Sequence, residues 1–68
     1  VSDELIVRVE HVRRAGYCMR GARRWARSHG IDWARFVVEG VPAAVLRATG
    51  DALARPVIAA AESEAWTR

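Results

Sequence analysis

His11, Cys18 and His29 are the side chains of this 68-residue sequence best suited to nucleophilic or acid–base work, apart from its acids and hydroxyls. A Cys–His pair needs hydrogen-bond reach. Cys18 and His29 stand eleven residues apart. On one helix that spacing is about 16 Å. His11 would have to fold back onto Cys18 to serve it. The thiol therefore reads as a small buried hydrophobe. None of the eight carboxylates forms a close pair on an evident apolar face, and Glu62 and Glu64 read as solvated. Gly21, Gly30, Gly40 and Gly50 are isolated helix punctuators rather than a phosphate-cradling GxGxxG. There is no CxxC and no Cys/His quartet for zinc, and one cysteine cannot form an internal disulfide. The reading is a non-enzymatic protein with no cofactor, metal or small-molecule substrate.

The other chemistry is cationic. The stretch CMRGARRWARSHG, Cys18 to Gly30, holds four arginines within eight residues. Arginine is the only basic residue type besides histidine, and alanine is abundant. A high-GC genome supplies both, so the count alone is no sign of nucleic-acid binding. Distribution says more. Residues 8–35 carry eight arginines against Glu10 and Asp32, a local balance of +6, whereas residues 1–7 contribute −2 and residues 36–68 contribute −1. Such polarisation suggests a basic face with an acidic partner.

On a helical wheel, Arg20, Arg23, Arg24 and Arg27 fall within about 100° of one another. Cys18, Ala22, Trp25 and Ala26 lie opposite, on the core side. Three readings of the arginine face stand: a solvated surface, a contact for nucleic acid, or a contact for an acidic protein. In the nucleic-acid reading the first two helices form a helix-turn-helix-like pair, the second helix enters the major groove, and Arg13 and Arg14 sit on the phosphate backbone. Against it, the arginine face carries no Asn, Gln, Ser or Thr to read adenine, and the net charge is only +3.

Short elements must position these groups. The expected fold is mainly α: a small bundle of four to five short helices with a short N-terminal extended or β segment. Residues 1–68 form a single domain, with residues 1–9 an extended arm or strand and 10–65 the helical body. The β-branched run in ELIVRVE suggests a strand with no convincing second strand in the chain, hence an arm or pairing with another chain. PVIAA, residues 56–60, is its alternative partner. A first helix ends at Gly16, and a second runs from Met19 to His29 and stops at Gly30. His29 suits the C-terminal end of the macrodipole when protonated. Asp32 caps a third helix, with Ile31 and Phe36 as its hydrophobic staple. Pro42 at a first helical position and Gly50 at the stop bound a fourth. Asp51 caps a fifth, which Pro56 would kink or restart.

Trp25 belongs on the apolar side of the second helix, and Trp33 at the start of the third is expected half-buried. Trp66, near the C-terminal end, is a candidate interface anchor. A chain of this length buries only about 60% of the surface its unfolded form exposes. Without a disulfide or metal, partner binding or self-association is the remaining source of stability. No apolar run approaches the ~20 residues of a membrane span. The expected setting is a soluble, reducing one: the host-cell cytoplasm or a virion, with no membrane contact.

The motifs AGYCMRGARRW, HGIDWARF, GVPAAVL and ATGDALA, across about residues 8–62, together resemble small uncharacterised proteins encoded by tailed phages and prophages of high-GC bacteria. The resemblance carries no activity or ligand. It implies a context: a phage accessory or morphogenesis protein that acts by binding a structural protein or a host complex.

Overall fold

A computed structural model describes residues 5–67, with side chains described through residue 65. The order is β1 (Ile6–Val7), α1 (Val9–Arg14), α2 (Met19–Ser28), α3 (Trp33–Glu39), β2 (Val41–Pro42), α4 (Ala43–Ala48) and α5 (Ala54–Thr67). The fold is small and mainly α, as the sequence leads one to expect.

The N-terminal strand is not a free arm. β1 pairs antiparallel with β2, Ile6 opposite Pro42 and Val7 opposite Val41. The Ala43 amide extends this ribbon by donating to the Leu5 carbonyl at 2.8 Å. Residues 56–60 are helix, so the alternative pairing with PVIAA does not occur. Pro42 is the N-cap of α4 rather than its first helical residue, because it is held in extended backbone by the ribbon. Gly40 makes the turn into β2 with φ of +82°. A Cβ there would lie 2.7 Å from Ile6 Cγ2 and 2.8 Å from the Val7 carbonyl oxygen. Glycine is therefore required both for the backbone sign and for the close approach of β1.

Helix ends follow local chemistry. α2 closes with a Schellman arrangement, Gly30 N–H to Arg27 O and Ile31 N–H to Ala26 O, which needs the positive φ of Gly30 (+72°). α3 starts where the Asp32 carboxylate accepts from the Arg35 amide at 3.3 Å. α5 begins two residues later than an Asp51 cap would place it. Asp51 instead accepts from the Leu53 amide at 2.9 Å in a turn that precedes the helix. Pro56 is then the third residue of α5. In the first turn no intrahelical partner is expected for its missing N–H, so proline neither kinks nor restarts the helix.

The core is built on α5. Ala54, Val57, Ile58 and Ala61 are buried together with Val7, Val12, Phe36, Val41, Ala43 and Leu46. The spacing 54, 57, 58, 61 is one helical face. α1 lies along it, and the seam includes a buried polar group. His11 is only 3% exposed. Its Nδ1 accepts from the Arg8 amide at 2.9 Å, which fixes the ring proton on Nε2. Nε2–H then donates to Glu64 Oε1 at 2.6 Å. Arg14 Nη1 approaches the other oxygen of Glu64 at 3.6 Å. Glu64 is thus not the solvated tail residue expected from the sequence. It joins the far end of α5 to α1.

Candidate functional site

α2 contributes little to the packed core. Of its ten residues only Ala26 is fully buried. Ala22 and Trp25 are half-buried, and Arg20, Arg23, Arg24 and Arg27 are all exposed. The wheel thus places the arginines correctly. It misplaces Cys18, whose thiol is exposed. Cys18 is the N-cap, where the backbone has left the helical path (φ −83°, ψ 151°), and its Sγ accepts from the Gly21 amide at 3.3 Å. A wheel describes only residues on the cylinder, so this position falls outside its reach.

The arginines of α2 differ from Arg14, Arg35 and Arg47. Arg35 pairs with Glu39 at 3.2 Å, Arg47 with Glu62 at 3.0 Å, and Arg14 with Glu64. Among the described residues, Arg20, Arg23, Arg24 and Arg27 have no carboxylate partner, and neither do Arg8, Arg13 and Arg55. The first-helix pair splits accordingly: Arg13 is exposed and unpaired, while Arg14 belongs to the Glu64 seam. The side chain of Trp66 lies outside the described residues.

The surface is concave at two places along α2, on the face opposite the arginines and beside Arg23 and Arg27. At the first, an apolar cleft of about 340 Å³ separates α2 from the corner between α4 and α5. Gly21, Ala22 and Trp25 form its α2 wall, Leu46, Leu53 and Val57 the opposite wall. Two polar clasps bridge it. Tyr17 Oη donates to the Leu53 carbonyl at 3.0 Å, and Trp25 Nε1 donates to Asp51 Oδ2 at 2.8 Å. His29 Nε2 also reaches Asp51 Oδ2, at 3.3 Å, and its ring lies 4.4 Å from the Trp25 ring, centre to centre. The Leu53 amide, then the Trp25 indole and His29, hold the Asp51 carboxyl below the ordinary aspartate range, with desolvation opposing them. At the second, Arg23 and Arg27 face Trp33 and Ala34 across a more polar cleft of about 480 Å³.

The histidines and the cysteine are each engaged separately. Both ring nitrogens of His11 are engaged, leaving no free base. Neither histidine hydrogen-bonds to Cys18, whose partner is the Gly21 amide. Among the described residues no three His, Cys, Asp or Glu side chains gather as metal ligands, and no helix is long and apolar enough to cross a membrane.

α2 and α3 also follow one another in helix-turn-helix order, joined by residues 29–32. The outer face of α3 nevertheless exposes Ala34, Val37 and Val38, with Val38 74% exposed, and its one cation, Arg35, is paired with Glu39. Those side chains offer no free donor or acceptor for base edges. Comparison with known proteins returned no matching family model, no matching curated protein and no matching solved structure.

Proposed function

We propose that this protein is a small non-enzymatic interaction module that binds an acidic protein partner through α2. The carrying observation is the contrast among its arginines. Arg20, Arg23, Arg24 and Arg27 share one exposed face with no carboxylate partner among the described residues, while Arg14, Arg35 and Arg47 pair within the fold. A cationic face without internal carboxylate partners suits a protein surface that supplies carboxylates. The resemblance of the sequence to small phage and prophage proteins supplies the setting, an accessory role in virion assembly or on a host complex.

A second reading rests on the cleft shared by Arg23, Arg27 and Trp33. Two guanidinium groups beside an indole are suited to phosphate and a stacked base. The two readings part in one experiment. Amide shifts are recorded with polyglutamate and with a DNA duplex, each at physiological salt. The protein-partner reading expects polyglutamate to shift the α2 amides and Arg20→Glu/Arg24→Glu to remove the shifts. A duplex that binds more tightly, with affinity falling steeply as salt rises, establishes the nucleic-acid reading instead.

A further inference from the structure

The two clefts along α2 treat their polar groups differently. In the apolar one the donors are spent within the chain, Tyr17 Oη on the Leu53 carbonyl and Trp25 Nε1 on Asp51. The cleft between α2 and the start of α3 keeps its own. Arg23, Arg27, Asp32 and Trp33 line it. Neither guanidinium has a carboxylate partner among the described residues. The Trp33 indole N–H, unlike that of Trp25, has no acceptor among them. Trp33 is half-buried, and its ring meets Phe36 edge-on with the centres 5.4 Å apart. Asp32 is exposed: Oδ1 accepts from the Arg35 amide, and Oδ2 has no donor among the described residues.

The complement of such a cleft is an anion, a flat ring and an N–H donor held close together. Two guanidinium forks match the oxygens of a phosphate. An indole face takes the face of any base. The Asp32 oxygen accepts an N–H, and it repels a ligand that is acidic throughout. That counts against a run of glutamates in this cleft. In a duplex the base faces are stacked and their Watson–Crick N–H groups are paired, so Trp33 and Asp32 find no complement there. An unpaired nucleotide presents phosphate, ring face and N–H together. We infer that the cleft seats one unpaired nucleotide of a nucleic-acid strand, with its phosphate on Arg23 and Arg27, its base against Trp33 and a base N–H on Asp32. A volume of about 480 Å³ lies within the range of ligand pockets, about 300–1,000 Å³. The inference rests on the second, nucleic-acid reading of this cleft and changes its ligand from a duplex to an unpaired strand. Arg20 and Arg24 do not line the cleft and remain available to a protein partner.

The test compares a short mixed-sequence DNA strand, free of self-complementarity, with the duplex it forms with its complement. Each is titrated into the full chain at low salt and followed by amide and indole shifts. The strand is expected to bind more tightly than the duplex and to shift the Trp33 indole and the Gly30 and Ala34 amides. Trp33→Leu should weaken strand binding by about fivefold or more, the loss of one stacked base, and Trp33→Phe should restore most of it. Arg23→Ala/Arg27→Ala should weaken binding more than Arg20→Ala/Arg24→Ala, which removes the same charge from outside the cleft. Circular dichroism checks each fold; if Trp33→Leu unfolds the chain, the two arginine pairs carry the test. A duplex that binds as tightly as the strand, or equal losses from the two arginine pairs, overturns the inference and leaves the nucleic-acid reading standing. No shift with strand or duplex overturns both, and polyglutamate shifts at α2 would then leave the acidic-protein reading alone. Adenosine 5′-monophosphate that binds more tightly than the strand also overturns the inference, since the site would then serve a free nucleotide.

Discussion

The seam between α1 and α5 and the flank between α2 and the α4–α5 corner are built on opposite plans. In the seam, apolar side chains from both helices are buried, and one part-buried histidine–carboxylate contact joins the helices beside them. In the flank, α2 buries a single alanine completely, and polar clasps at the edge hold the walls of an open apolar cleft. Close packing stabilises through contacts that a small change disrupts. Polar clasps around a cleft fix a geometry while leaving apolar surface exposed. The first arrangement keeps the fold together, and the second leaves a surface with chemistry to offer.

Mutations that damage the ribbon and core should have the largest effects. Leu46→Ala removes a fully buried side chain and should cost about 2–5 kcal/mol in urea unfolding. That is a large share of the roughly 5–15 kcal/mol available to a typical domain. Gly40→Ala should be comparably damaging, because it adds unfavourable backbone at positive φ to a close contact with Ile6 and Val7. Its expected signature is loss of the β1–β2 amide protection in hydrogen exchange.

Within the seam, His11→Asn keeps an acceptor for the Arg8 amide but cannot span to Glu64. We expect a cost of about 1–3 kcal/mol, the range for losing a buried polar contact. Val57 amide protection should fall with global stability.

The flank should respond more mildly. Trp25→Phe retains the ring but loses the donor to Asp51. It should lower Tm less than His11→Asn does, and speed exchange selectively in residues 49–53. Acid should act on the same clasp. Because the folded Asp51 pKa lies below its ordinary value of 3.8, its stabilisation is complete above that value. It declines as the pH falls through it and is gone below the folded value. Asp51→Asn should remove this part of the acid sensitivity, as read from Tm against pH. The smallest effect belongs to the arginine face: Arg20→Ala and Arg24→Ala should each change stability by within about 0.5 kcal/mol, as surface substitutions do. If either costs as much as Leu46→Ala, the division of the molecule into a structural and an interacting side fails.

What the sequence discloses follows the range over which its signals act. Asp32, Gly16, Gly30 and Gly40 act on neighbours a few residues away, so the limits of α1, α2 and α3 can be read directly. The amphipathic period of α2 likewise places Arg20, Arg23, Arg24 and Arg27 on one exposed side. β2 leaves no such trace, since two residues contain no alternation and its proline resembles a helix start. The pairing of His11 with Glu64 spans 53 positions. The cleft draws its walls from residues as distant as Val12 and Val57. Nothing local in either segment announces the other, and so a carboxylate near the end of the sequence looks solvated and the cleft is invisible.

The four arginines of α2 also act on one another. Arg20 with Arg23 and Arg24, Arg23 with Arg27, and Arg24 with Arg27 are like-charge neighbours three or four positions apart. Each such pair opposes the helix by about 0.2–0.5 kcal/mol. The free protein therefore keeps α2 under electrostatic self-repulsion. Added salt should strengthen this helix rather than weaken it, since screening relieves that repulsion. A carboxylate-bearing partner would neutralise the repulsion as it binds, so association and the tightening of α2 become one event.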